Sequence, residues 1–262
     1  MSSITLSLVQ SKIFWKKKQE NLQMLEEKIA SIASPTEIVL LPEMFNTGFT
    51  SEPVQAAETM DGPTVNWMRD LAASKKIVIG GSLVIRDGED FYNRLVWMLP
   101  NGEVGTYDKR HLFAYGGEGA KYSAGQKRLV ASVKGWRINL QICYDLRFPV
   151  WARQQMEGGK PEYDLLINVA NWPEKRQSIW TTLLKARAIE NMCYVAAVNR
   201  IGVDGNNIAY KGGSVVLDPL GNPLFDAQDR EEINTITLKM ENLQQIRDQF
   251  PFLGDADSFL IK

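Results

Sequence analysis

A chain of 262 residues, 44% hydrophobic and 23% charged, has the makeup of an ordinary globular protein and lies near the upper size for a single hydrophobic core. Lys and Arg total 30 against 31 Asp and Glu, a formal net charge of -1, which excludes a field for non-specific nucleic-acid binding. Its two cysteines exclude a disulfide framework, leaving at most one Cys143–Cys193 bridge, and no apolar stretch approaches the roughly 20 residues needed to span a bilayer.

The segment from Met1 to Leu8 lacks the basic and continuous apolar regions of a signal peptide. The expected setting is therefore a reducing cytoplasm, without membrane or nucleic-acid partners. Ile4, Leu6 and Leu8 alternate with polar residues, which predicts a half-buried strand. Leu22, Leu25, Ile29 and Ile32 recur at helical spacing and predict a helix over 16–34, with Lys16-Lys17-Lys18 as its solvated first turn. Ile38-Val39-Leu40-Leu41 reads as a short strand covered on both faces and stopped at Pro42-Glu43. Pro63 opens a second helix presenting Val65, Met68, Leu71 and Ala72. Apolar runs at 77–79, 83–85 and 95–98 follow, then the turn Pro100-Asn101-Gly102 and a strand from Val104 to Asp108.

In the second half, Ile138, Leu140 and Ile142 alternate with polar residues into a strand that ends at Cys143. Pro149 opens a short helix through Met156, Leu165-Leu166-Ile167 reads as a buried strand, and a helix over 177–191 precedes a strand over 194–198. Strands near 214–217 and 233–238 flank the turn Asp218-Pro219-Leu220-Gly221. Hairpins mixed among alternating helices and strands exclude a purely parallel doubly wound sheet; two sheets packed face to face with helices outside would bury such strands. No linker divides the chain, so one domain over 1–262 is expected. Past Glu241 the pattern weakens, and 241–262 is expected either to dock on a partner subunit or to fray.

Three residues draw attention on chemical grounds. Cys143 stands where a strand passes into a helix, a setting that exposes a side chain and points free backbone N–H groups at it. Such groups lower a thiol's pKa and can hold an oxyanion; taken alone, the residue also reads as a small buried hydrophobe. A Cys–His enzyme needs a histidine, and the only one, His111, sits beside Lys109 and Arg110 and reads as structural. Glu43, following a buried strand, is the best candidate base, because desolvation raises a carboxyl's pKa toward useful values; its alternative is a surface strand terminator. Lys109 also follows a strand, and reads either as a charge near an oxyanion or as a solvated lysine. Cys193 reads as buried packing.

Pro42-Glu43, Tyr107-x-Lys109-x-His111-Leu112 and Cys143-Tyr144-Asp145-x-Arg147-Phe148-Pro149 occur in the order seen in the nitrilase superfamily of carbon–nitrogen hydrolases, and Lys185-Ala186-Arg187-Ala188-Ile189-Glu190-Asn191 resembles that family's helix after the nucleophile. Leu41-Pro42-Glu43-Met44-Phe45-Asn46-Thr47-Gly48-Phe49, His111-Leu112-Phe113, and Gly117-Glu118 with Tyr122 and Gly125 are similar to its ω-amidases; Ala114-Tyr115-Gly116 departs from that group. The resemblance implies an α/β fold, a four-layer α-β-β-α sandwich, in homodimers or larger assemblies. It implies a catalytic Glu43–Lys109–Cys143 triad, supported by Glu118, and hydrolysis of the terminal amide of a small 2-oxo acid such as 2-oxoglutaramate or 2-oxosuccinamate. In the mechanism expected from it, Glu43 takes the thiol proton, Lys109 and the backbone N–H of Tyr144 hold the oxyanion, and a thioester follows. No cofactor or metal is expected. Arg147 reads as a partner for a substrate carboxylate or as a brace of the turn, and Asn171-Trp172 as pocket wall or plain strand end. Another hydrolase of the superfamily (aliphatic amidase, N-carbamoyl amidohydrolase or nitrilase) and a non-catalytic binding protein on the same fold remain the alternatives.

Overall fold

The computed structural model describes residues 2–261. Its main body is two six-stranded sheets with helices outside both. The first sheet takes β1 (Ser3–Gln10), β2 (Ile38–Leu40), β3 (Val78–Asp87), β4 (Asp90–Met98), β5 (Val104–Asp108) and β16 (Glu232–Lys239), in the order β16-β1-β2-β3-β4-β5. The second takes β6 (Val130–Val133), β7 (Trp136–Ile142), β10 (Leu165–Ala170), β11 (Tyr194–Asn199), β14 (Val215–Leu217) and β15 (Pro223–Asp226), in the order β15-β14-β11-β10-β7-β6. Two small ribbons lie apart: β8 (Met156–Glu157) with β9 (Lys160–Pro161), and β12 (Ile201–Val203) with β13 (Ala209–Lys211). The helices are α1 (Lys18–Ala30), α2 (Pro53–Ala56), α3 (Pro63–Lys75), α4 (Pro149–Ala152), α5 (Gln177–Asn191) and α6 (Met240–Gln249).

The period-2 alternation of the strands decides the layers. Ile4, Leu6, Leu8, Ile38, Leu40, Leu95 and Trp97 face the second sheet's Ile138, Leu140 and Ile142 in one buried cluster. Their neighbours Val9, Val39, Leu41, Val96 and Met98 point the other way, into a cluster with Leu25 and Ile29 of α1 and Val65, Met68 and Leu71 of α3. On the far side, Trp180, Leu184 and Ala188 of α5 and Leu243 of α6 cover the second sheet. The four-layer α-β-β-α sandwich follows, and each large side chain sealed in it stabilises the fold by about 1.5–3 kcal/mol.

Several boundaries move. The first helix starts at Lys18, since Lys16 has a left-handed backbone at φ 55°. The helix from Pro149 ends at Ala152, and Met156 pairs with Pro161 in a ribbon. The runs at 77–79 and 83–85 are one strand, carried through Gly80 and Gly81. These glycines are there for room: a Cβ on Gly80 would stand 2.8 Å from the Trp97 ring, and one on Gly81 2.7 Å from Phe45. Beyond Glu241, where the pattern weakens, α6 packs on its own chain. The Arg247 guanidinium donates to Asp164 Oδ1 at 2.8 Å, to the Tyr163 carbonyl at 2.8 Å and to the Met192 carbonyl at 2.9 Å. Both cysteines are free thiols. Among the described residues no helix is long and apolar enough to cross a membrane.

Gly81→Ala is expected to cost about 1–3 kcal/mol by overpacking Phe45 and Leu41, read from the midpoint of chemical denaturation. An unchanged midpoint would show that this layer has slack.

Candidate active site

β2 and β5 run the same way in the first sheet, as do β7 and β10 in the second. Just past their carboxyl ends come Glu43, Lys109, Cys143 and Asn171, and the sandwich brings all four together. Open α/β sheets place their crevices at such strand ends.

Glu43, Lys109 and Glu118 form a sealed ionic cluster. The Lys109 ammonium donates to Glu43 Oε1 at 2.8 Å and to Glu118 Oε2 at 2.8 Å, and none of the three side chains is exposed. Each carboxylate oxygen also meets a donor other than the ammonium. Asn93 Nδ2 donates to Glu43 Oε1 at 2.7 Å and to Glu118 Oε1 at 3.0 Å. The N–H of Asn171 donates to Glu43 Oε2 at 2.8 Å, and the N–H of Phe113 to Glu118 Oε2 at 2.6 Å. The Asn171 amide donates to the Glu43 carbonyl at 2.6 Å, so its side chain holds the carboxylate's backbone as well as lining the cavity. Burial opposes the charge on Lys109, but Glu118 and Glu43 outweigh it and hold the ammonium well above the ordinary lysine value.

Cys143 follows the last residue of β7 in a left-handed backbone, φ 44°, at the head of a 3-10 turn over Cys143–Arg147. Met44, next to Glu43, shares that region at φ 43°. Left-handed conformations cost a non-glycine residue about 1–2 kcal/mol and persist where the surroundings impose them. At Cys143 the imposing group is Asp145, fully buried. Its Oδ2 accepts from the Ile142 N–H at 3.1 Å and the Tyr107 hydroxyl at 2.7 Å. Its Oδ1 accepts from the His111 N–H at 2.9 Å and lies 2.9 Å from His111 Nδ1. His111, whose ring stacks on Phe148 at 3.7 Å, is thus bound to the turn and serves structure.

One sequence expectation reverses. The strand-to-helix turn predicts a thiol pKa below the ordinary value, yet burial and the neighbouring Glu43 charge push Cys143 well above it, against the pull of Lys109. Cys143 is 9% exposed and borders a cavity of about 450 Å³ with Lys109, Tyr144 and Asn171. Trp172 and Arg147 form part of the wall, the guanidinium lying over the Trp172 ring at 5.1 Å and the Tyr144 ring at 5.9 Å. Tyr115 and Gly116, from the departing segment, line the same cavity. Asn93 and Arg176 escaped the sequence reading. Neither had a local signal: Asn93 shares its strand with Asp90 and Arg94, and Arg176 ends the charged run Glu174-Lys175-Arg176.

The carbon-nitrogen hydrolase family model matches residues 5–248 of the chain. The chain is 41% identical to the omega-amidase YafV of Yersinia enterocolitica, covering 100% of both sequences. It is 30% identical to the 2-oxoglutaramate amidase of Bacillus subtilis (strain 168), covering 96% of each. A crystal structure of a CN-hydrolase superfamily protein from Xanthomonas campestris, with an arsenic adduct in its active site, matches with a TM-score of 0.98 at 44% identity, over 100% of both chains. The chain belongs to the carbon–nitrogen hydrolase family, within the nitrilase superfamily. It is an omega-amidase-like hydrolase acting on amides.

Removing one partner from a buried ionic cluster costs about 3–5 kcal/mol. Lys109→Met, which leaves Glu43 and Glu118 without their counter-ion, should lose stability on that scale in equilibrium denaturation; a loss under about 1 kcal/mol, the range of surface pairs, would contradict the sealed cluster.

Proposed function

We propose that the protein hydrolyses the terminal amide of a small 2-oxo acid, 2-oxoglutaramate or 2-oxosuccinamate, to the dicarboxylate and ammonia, through a thioester on Cys143. The observation that carries the reading is the sealed carboxylate–ammonium–carboxylate cluster beside a cysteine whose thiol is held protonated. A thiol pushed up in pKa needs a base at the moment of attack, and Glu43 is the carboxylate whose charge the thiol feels most. The names of the relatives supply the substrate class.

The steps balance. Glu43 takes the thiol proton as Cys143 Sγ attacks the amide carbonyl, and the oxyanion forms against the Lys109 ammonium and the Tyr144 N–H. Glu43 gives that proton to the leaving nitrogen, the C–N bond breaks, and ammonia leaves a thioester. Water then attacks the thioester carbonyl, Glu43 accepts its proton, and collapse returns the proton to sulfur and frees the carboxylic acid. Glu118 explains how Lys109 stays charged throughout. When Glu43 is protonated it no longer balances the ammonium, but Glu118, 2.8 Å away, still does. Because both carboxylates raise the Lys109 pKa, the ammonium should persist through neutral pH and into the alkaline range, above the ordinary value of about 10.4.

The substrate assignment is tested by ammonia release from a panel of 2-oxoglutaramate, simple amides, nitriles and N-carbamoyl amino acids. The keto acid amide is expected to turn over with the highest kcat/KM, and Cys143→Ala to abolish release while leaving the melting temperature near the parent's. Turnover of nitriles alone would overturn the substrate, and release by Cys143→Ala would overturn the nucleophile. An inert wild type favours the non-catalytic binding protein.

The base is tested by a sign. Glu43→Gln should cut hydrolysis by about 10²–10⁴-fold. Because the Glu43 charge raises the thiol's pKa, the same variant should be alkylated by iodoacetamide at lower pH than the wild type. Hydrolysis left near the wild-type rate in Glu43→Gln would count against Glu43 as the base.

A further inference from the structure

The cavity beside Cys143 is bordered by two guanidiniums, Arg147 and Arg176, and among the described residues neither has a carboxylate partner. Other guanidiniums find carboxylates or, as at Arg110 and Arg200, amide and carbonyl oxygens. Arg94 is paired with Asp108 and Asp87, Arg187 with Glu190, and Arg247 with Asp164. Arg147 and Arg176 instead rest only on aromatic faces. Arg147 lies over Trp172 and Tyr144, and Arg176 lies 5.2 Å over Phe113. Those rings form one surface, Phe113 meeting Tyr144 edge-on at 5.1 Å. The Arg176 turn is itself pinned to the wall, because Trp172 Nε1 donates to the Arg176 carbonyl at 2.8 Å. Asp204, an acidic group on the facing loop, is already engaged. It accepts from the Tyr210 hydroxyl at 2.9 Å and from the N–H groups of Asn206 and Ile208 at 2.8 and 3.0 Å. Glu174 sits at the exposed rim.

A half-buried guanidinium whose protein contacts are π faces keeps its N–H fork free for a planar anion. We propose that Arg176 is a specificity-determining residue that forms, with Arg147, a two-guanidinium clamp on the end of the substrate remote from the scissile amide. The inference rests on the reading of the site as an amidase pocket for 2-oxo acid amides. In such a substrate a carboxylate and the adjoining keto oxygen lie in one plane, giving three acceptor oxygens to two donor forks. Glutamine has the same carbon skeleton but carries an ammonium at the keto position. Two cations without a protein counter-ion repel that ammonium, so the clamp both recruits the keto acid and rejects the amino acid. A neutral amide such as pentanamide gains nothing from it.

The experiment compares kcat and KM for 2-oxoglutaramate, glutamine and pentanamide in the wild type, Arg176→Ala and Arg176→Lys. A charge-assisted hydrogen-bond partner lost from a binding site corresponds to about 10- to 100-fold. Arg176→Ala is therefore expected to lower the 2-oxoglutaramate-to-pentanamide ratio of kcat/KM by that factor, mostly through KM, and to narrow the preference over glutamine. Arg176→Lys should recover part of both ratios. Calorimetry of 2-oxoglutarate binding to Cys143→Ala, with and without the Arg176 substitution, should show the same loss without any turnover. If the wild type acts on 2-oxoglutaramate but the ratios and the 2-oxoglutarate affinity stay put in Arg176→Ala, the clamp is wrong and the functional reading stands. A wild type inert on 2-oxoglutaramate and active on another amide overturns the functional reading itself.

Discussion

A buried ammonium has to be matched by anions, and at Lys109 two carboxylates do so. That requirement organises the surrounding structure. Two carboxylates against one ammonium leave a buried net negative charge, tolerable only when each oxygen meets a donor. Asn93, Phe113 and Asn171 supply those donors from three separate segments of chain. The hairpin of β3 and β4, the turn before Glu118 and the end of β10 are therefore held in register by one cluster. Burial, joined by the Glu43 charge, raises the thiol of Cys143, so the carboxylate that helps to fix the ammonium stands beside a thiol that needs a base.

Much of the architecture was legible because the strands alternate. Ile38-Val39-Leu40-Leu41 looks uniformly apolar, yet its side chains divide evenly between two buried layers, which is why it reads as covered on both faces. The glycine pair misled, since Gly80-Gly81 resembles a break. Its cause is the bulk of Trp97 and Phe45, residues far off in sequence that no local pattern reveals. Glu43, Lys109 and Cys143 were visible as residues just past the ends of strands, and a motif order seen in a known family joined them. Asn93 and Arg176 were not visible, because each owes its place to segments folded against it from elsewhere. The direction of the Cys143 pKa was misread for the same reason: the turn was local and the carboxylate was a hundred residues away.

The groups nearest the reacting centre and the outer wall of the cavity mostly sit on different kinds of structure, Glu118, on the 3-10 turn Glu118–Ala120, being the exception in the cluster. Glu43, Lys109, Cys143 and Asn171 stand at or near strand ends, where a stiff ladder sets their positions. Tyr115, Arg147 and Arg176 stand on short 3-10 turns, over Ala114–Gly116, Cys143–Arg147 and Glu174–Arg176. Turns of this kind tolerate change better than strands do. The departure at Ala114-Tyr115-Gly116 falls on such a turn, between Phe113 and Glu118, so it lines the cavity and also adjoins the ionic cluster.

The four strand ends come two from each sheet, and no covalent or hydrogen-bonded ladder crosses between the sheets. Glu43 and Lys109 are carried on one slab and Cys143 on the other, and apolar packing, with the bonds of Asn171 to Glu43 and of Tyr107 to Asp145 at the strand ends, sets how the slabs lie. Reacting groups displaced by about an ångström lose on the order of a hundredfold in rate. The packing of Trp97, Leu95 and Ile138 therefore works as a vernier between base and nucleophile. A change in that layer too small to disturb the fold alters the alignment of a proton donor and its acceptor many residues away.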